Sequence, residues 1–283
     1  MIRSSISAMI PKRIYRYYKV EHGICVLRDR EIRTSIPSSL NDPFELWPNI
    51  DPAQFTQRQC EAVLRQRHYI DDAYKREGRI RGFSNRKEFK RWYLKSIPER
   101  AARLLPKVPK NVESVRQNFP DLFSKYWRLV CASQVFDSVL MWSHYAANHT
   151  GLVLGFNTTE VPFSQIGLDC WLTVNYSNKK PDYRYATDNR TFRRNMFAVA
   201  GNKAARWAYE KEIRIILATT AIREERFLPL TPESVAAVYY GCRISRTDKN
   251  AVEVALRDTR FHHVERSQGF LDEHTYALRF DNS

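Results

Sequence analysis

Apolar residues recur along the chain in two rhythms. Short stretches alternate or run apolar over four to eight positions, as strands do. They cover 13–20, 24–27, 128–133, 151–156, 171–176, 212–219, 235–240, 262–266 and 275–280. Elsewhere apolar positions return every three or four residues, which predicts helices over 53–74, 84–105, 112–126, 138–147, 189–205 and 247–256. Gly78 to Gly82 and Pro106 to Pro109 supply the breaks between the first three. Ser84 is the expected cap of the second, with Phe89, Trp92 and Tyr93 marking its apolar stripe. Early strands, then helices, then mostly strands imply an α+β fold with a largely antiparallel sheet. Three zones follow: 1–50 as the first strands of the core, 51–128 as a helical insertion, and 129–283 as the rest of the core. The sequence carries no internal repeat and no low-complexity tract.

Charge changes this picture. Of a net +15, the segment from Thr56 to Arg128 holds 19 Lys and Arg against 8 Asp and Glu, a net of +11, leaving +4 for the other 210 residues. The helical zone is therefore a basic insertion, and polyanions are its expected partners, nucleic acid first and an acidic protein such as an antitoxin second. Tyr69, Tyr74, Trp92 and Tyr93 interleave these cations and suit either a packed face or base stacking. A second basic stretch, eight Lys and Arg against two Asp, runs from Ser177 to Arg206. No stretch approaches the ~20 apolar residues of a membrane span, and residues 1–9 lack the apolar core of a secretory signal. Five dispersed cysteines without a CxxC pair read as free thiols, so the expected compartment is the reducing cytoplasm. Cys131, His144, His149 and Cys170 lack the short spacing of a zinc site, and no metal is expected.

The densest chemistry lies at Tyr209-Glu210-Lys211-Glu212-Ile213-Arg214. A strand would place Glu210 and Glu212 on one face with Arg214 next along. Two like charges gain nothing structurally there, whereas paired carboxylates suit a cationic transition state or a proton acceptor. The competing reading is a solvated strand end neutralised by Arg206, Lys211 or Arg214. Three other segments combine polar and aromatic residues: Tyr15-Arg16-Tyr17-Tyr18, the Asn41-Asp42-Pro43-Phe44-Glu45 turn, and Met141-Trp142-Ser143-His144-Tyr145-Ala146, preceded by Ala132-Ser133-Gln134. Arginine forks fit phosphate and tyrosines can sandwich a planar ring. In the helix, Met141, Trp142 and Tyr145 share a packed face while His144 points elsewhere. No Gly-x-Ser-x-Gly elbow, phosphate-binding GxxxxGK[ST] loop or GxGxxG occurs.

The Asn-Asp-Pro-Phe-Glu, Met-Trp-Ser-His-Tyr-Ala and Tyr-Glu-Lys-Glu-Ile-Arg segments, in that order, resemble the hallmarks of a bacterial domain-of-unknown-function family, which implies no activity. A looser resemblance is to the Arg-Ser-Glu class of ADP-ribosyltransferases, which carry arginine on the first strand, serine on a middle strand and Glu-x-Glu on a late one. That resemblance implies an ADP-ribosyltransferase-like core using NAD as a substrate. Arg16, beside Tyr17, would hold the NAD diphosphate and Ser133 would order the pocket. Glu212 would contact the nicotinamide ribose, and Glu210 would orient or deprotonate the acceptor. Asn41, Asp42 and Phe44 would form a loop over the nicotinamide, with Trp142, His144 and Tyr145 as further donor-site candidates. The class has Ser-Thr-Ser where this chain has Ala132-Ser133-Gln134. The implied function is transfer of ADP-ribose to RNA or DNA, as in bacterial toxins and anti-phage effectors. The alternatives are a metal-dependent nuclease built on Glu210, Glu212, Asp42 and His144, a non-catalytic nucleic-acid-binding module, and a protein-modifying transferase. The transferase reading requires Arg16, Ser133 and Glu212 to meet in one cleft.

Overall fold

The computed structural model describes residues 10–105, 112–186, 188–223 and 226–282. The expected break at Pro106 to Pro109 and the leader reading of 1–9 lie outside them. In chain order the elements are β1 (Arg13–Tyr18), α1 (Val20–Asp29), β2 (Glu31–Arg33), α2 (Pro52–Leu64), α3 (Arg67–Ala73), α4 (Arg86–Leu104), α5 (Val112–Gln117) and α6 (Phe119–Tyr126). Then come β3 (Trp127–Ser133), α7 (Val139–Tyr145), β4 (Leu152–Asn157), β5 (Trp171–Thr173), β6 (Asn175–Ser177), α8 (Asn189–Ala200) and β7 (Asn202–Ala204). The chain closes with β8 (Glu212–Ala218), β9 (Phe227–Pro229), β10 (Val235–Tyr240), α9 (Arg246–Ala255), β11 (Glu265–Leu271) and β12 (Leu278–Asn282).

The chain divides into two compact units. The sheet unit takes residues 1–45, 121–178 and 203–283. Its eight strands run β12-β11-β10-β4-β1-β3-β8-β5, and only the β10–β11 pairing among them is parallel. The α+β expectation with a largely antiparallel sheet holds. Alternation along each strand supplies two apolar faces. Ile14, Val130, Ala132, Ile213 and Ile215 pack with Val26 and Leu27 of α1 and Val252 of α9. Tyr17, Val153, Ala237 and Tyr239 pack with Met141 and Trp142 of α7. The sheet is nearly two sheets: six residue pairs join β1 to β4 and seven join β3 to β8, but a single pair, Tyr15 with Ser133, joins β1 to β3.

The helical unit takes residues 46–120 and 179–202, so α8 belongs with the basic helices and 121–128 with the sheet. Phe89, Tyr93, Ile97 and Ala101, four apart on α4, meet Cys60 and Leu64 of α2 in its core. Acidic residues there are committed to internal pairs: Asp71 to Arg86 and Arg67, Glu77 to Arg81 and Arg100, Glu99 to Arg103.

Several boundaries differ from the sequence pattern. Residues 24–27 are helical, because Val20, Ile24 and Leu27 also satisfy a three-to-four spacing that a four-residue window hides. Asn85, not Ser84, caps α4: its side chain accepts the Glu88 amide at 3.0 Å while the Glu88 carboxylate reaches back to the Ser84 amide. The stretch 171–176 splits into β5 and β6, and α8 stops at Ala200, before Gly201. β12 begins at Leu278 because Asp272 accepts the amides of His274 and Thr275 and turns the chain there.

Candidate active site

The break between β1 and β3 opens a cavity of about 760 Å³ in the sheet unit, within the range of small-molecule sites. Register fixes what lines it. Arg16 alternates with Ile14 and so shares the α1 face, whereas Tyr15, Ser133 and Glu212 lie opposite one another on the α7 face. Residues from both faces line the same space, so the cavity passes through the gap in the sheet.

On the α7 side lies a buried charge cluster. Arg214 grips Glu212 through two nitrogens, each at 2.8 Å, and also donates to Glu45. Lys203 Nζ lies 2.6 Å from Glu210, 3.3 Å from Glu212 and 3.5 Å from Glu45. Tyr145 donates its hydroxyl to Glu210 at 2.7 Å and accepts from Asn41 Nδ2 at 3.2 Å. All five charged side chains are nearly inaccessible to solvent. Ser133 donates to the Glu210 carbonyl at 2.6 Å and accepts the Val135 amide, tying the strand end to the carboxylate pair.

Glu210 and Glu212 do not alternate along one strand. Glu210 ends a 3-10 turn (Ala205–Glu210), and Lys211 adopts φ 43°, the left-handed region that a residue with a Cβ enters at a cost. Two carboxylates from different elements thereby converge on one ammonium. Their environments separate them. Burial pushes Glu210 above the ordinary carboxylate range, and Lys203 only partly offsets this. Burial also opposes ionisation of Glu212, but the charge and hydrogen bonds of Arg214, with Lys203, outweigh it and lower it to about 2. Tyr176, whose hydroxyl accepts the Glu212 amide, is raised by burial to about 12 and stays neutral.

The α1 side is cationic. Arg16 donates to the Arg33 carbonyl at 3.3 Å and stands 5.3 Å from the Tyr18 ring centre. Arg33 and Arg226 line the cavity with it, and none of the three has an acidic partner among the described residues. Two acids on this wall are paired outward, Asp29 with Arg28 and Glu31 with Arg223.

Of the residues that sequence singles out, Arg16, Tyr17, Asn41, Ser133, Tyr145, Glu210 and Glu212 line the cavity. Asp42, Phe44, Trp142 and His144 do not. Asp42 is buried as the acceptor of the Phe44 amide, and its carbonyl receives the Glu45 amide, so the turn's role is to aim Glu45 inward. Phe44 is exposed. Trp142 is wholly buried and donates its indole N–H to the Phe136 carbonyl, and His144 packs at the surface among Tyr145, Trp207 and Tyr209. Of the four residues of the nuclease alternative, only Glu210 and Glu212 line the cavity. Lys203, Glu45 and Cys131 also line the site. Glu45 ends a recognisable motif, but nothing in the pattern around Lys203 marks it.

The stretch from α7 through the carboxylate pair to the middle of β8 has counterparts elsewhere. Residues 141–215 match the family profile described as "Protein of unknown function (DUF2971)". The DUF2971 match contains Tyr145, Lys203, Glu210, Glu212 and Arg214, hence two of the three resembling motifs and most of the buried cluster. The Asn-Asp-Pro-Phe-Glu turn, Arg16 and Ser133 lie outside it. No curated protein and no solved structure matches the chain.

Proposed function

We propose that the sheet unit is a mono-ADP-ribosyltransferase that takes NAD into this cavity and passes ADP-ribose to a nucleic acid. The observation that carries the reading is the division of charge across the cavity. One wall offers three arginines that have no acidic partner among the described residues. The other sets three buried carboxylates against two buried cations, a local excess of one negative charge. A dinucleotide with an anionic diphosphate and a cationic nicotinamide riboside has the complementary polarity.

In this reading Arg16, with Arg33 and Arg226, holds the diphosphate through charge-assisted hydrogen bonds. Glu212, fixed in its ionised form, stabilises the positive charge that develops on the ribose. The bond between ribose C1 and the nicotinamide nitrogen breaks, and its electron pair leaves with neutral nicotinamide. The acceptor's oxygen or nitrogen bonds to C1, and its proton passes to Glu210. A raised affinity for protons suits Glu210 to that task, and the separation of the two carboxyls is what assigns their roles. Ser133 is a positioning residue that acts through the Glu210 backbone.

The test is incubation of the purified protein with labelled NAD and, in separate reactions, RNA, DNA or cell extract. Glu212→Gln is the variant of choice, because it keeps the shape around Arg214 and Lys203. Label on nucleic acid with wild type, cut at least 100-fold by Glu212→Gln, supports the reading. Label confined to extract proteins moves the acceptor. Absence of NAD consumption by the folded protein in every reaction discards the transferase.

A further inference from the structure

Helix α4 is 19 residues long and carries two opposed stripes. Phe89, Tyr93, Ile97 and Ala101 are buried, whereas Lys87, Arg91 and Lys95, also four apart, are exposed on the other side, with Lys90 beside them. None of these four cations has an acidic partner among the described residues: Asp71, Glu77 and Glu99 are paired with other arginines, and the Glu88 carboxylate accepts the Ser84 amide. At 1.5 Å per residue the stripe spans about 12 Å, the axial length over which one strand of a duplex carries three to four phosphates.

We propose that this face of α4 binds the sugar-phosphate backbone of a nucleic acid. The inference rests on the nucleic-acid acceptor of the transferase reading and gives that acceptor its place on the chain. A protein partner fits the face less well. Protein interfaces are centred on aromatic anchors and are poor in lysine, whereas here the large aromatic, Trp92, lies half-buried under Arg81 and Arg100 at 4.7 and 5.2 Å. Lys and Arg on phosphates position a strand without reading its bases, so binding through α4 is independent of sequence.

The experiment measures binding of the full-length protein to labelled single-stranded RNA, single-stranded DNA and duplexes of mixed sequence between about 50 and 200 mM salt, an interval over which phosphate contacts change affinity steeply. The triple variant Lys87→Gln/Arg91→Gln/Lys95→Gln is compared with Arg67→Gln/Arg103→Gln, which removes exposed but ion-paired cations. The triple variant is expected to flatten the slope of log affinity against log salt by about 2 to 3, and the control by less than about 1. A triple variant with the wild-type slope overturns the proposal. Tighter wild-type binding to polyglutamate than to any nucleic acid overturns it in favour of an acidic protein. NAD consumption, assayed on the same wild-type preparation, separates the two claims. Lost slope without NAD consumption keeps the α4 interface and discards the transferase, whereas NAD consumption with an unchanged slope does the reverse.

Discussion

At the residue scale, the cluster of Glu45, Lys203, Glu210, Glu212 and Arg214 behaves as one unit, and truncations within it differ sharply from isosteric changes. Glu212→Ala leaves two buried cations short of a partner and is expected to cost about 3–5 kcal/mol of stability, whereas Glu212→Gln retains hydrogen-bonding capacity and costs less. Urea titration of the two variants checks the ordering, and equal midpoints would refute it. Because the Glu212 carboxyl is lowered in the folded state, its contribution is complete above the unfolded value of about 4.3 and is lost as pH falls towards 2. Glu210 is displaced the other way. In the proposed role of proton acceptor it should make NAD-consuming activity fall on the acid side at a pH above the ordinary glutamate range, and Glu210→Gln should abolish that limb along with the rate. A profile flat down to pH 4 would remove Glu210 from the role. The pair itself is legible from sequence because like charges so close are unusual at a strand mouth. Lys203 is not, because a lone lysine in Gly201-Asn202-Lys203 has no periodicity and its burial is set entirely by tertiary partners.

Element by element, periodicity finds what is long and misses what is short. β3, β4, β8 and β10 match their sequence windows to within a residue or so, since each is a largely apolar run of six or seven positions, and β4, β8 and β10 are buried along nearly their whole length. The four-residue window at 24–27 is too short to tell one turn of helix from a strand, and α1 is the result. The register that carries Arg16, Ser133 and Glu212 to a common cavity is a property of pairing between distant strands, with Tyr15 opposite Ser133 and Ser133 opposite Glu212, which no local window contains. Part of that pairing depends on Gly151 at the head of β4. A Cβ there would sit 2.1 Å from the Tyr18 carbonyl at the end of β1. Gly151→Ala is therefore expected to force β1 and β4 apart, lowering the melting temperature by several degrees, consistent with a cost of about 1–3 kcal/mol. Gly82→Ala, at a site where a Cβ meets nothing within 4 Å but φ is +74°, should cost less, about 1 kcal/mol. Thermal melts of the two variants side by side decide it.

For the whole molecule, the division of labour follows composition. The chain's positive charge is concentrated in the helical unit, whereas the candidate site lies in the sheet unit, whose 23 Lys and Arg nearly balance its 21 Asp and Glu. The single Tyr15–Ser133 pair has a further consequence for how the sheet unit responds to force and heat. Two half-sheets joined at one rung form a seam, and a molecule seated in the gap acts as a rivet across it. Occupancy should then be felt far beyond the residues touched. Amide exchange should slow along both β1 and β3, and folding stability should rise with the logarithm of ligand concentration, by about 2.7 kcal/mol at a hundredfold excess over Kd, carrying the melting temperature up with it. Mechanically, the same seam is where the sheet unit parts first, so the ligand would double as the stitch that the hydrogen-bond ladder leaves out.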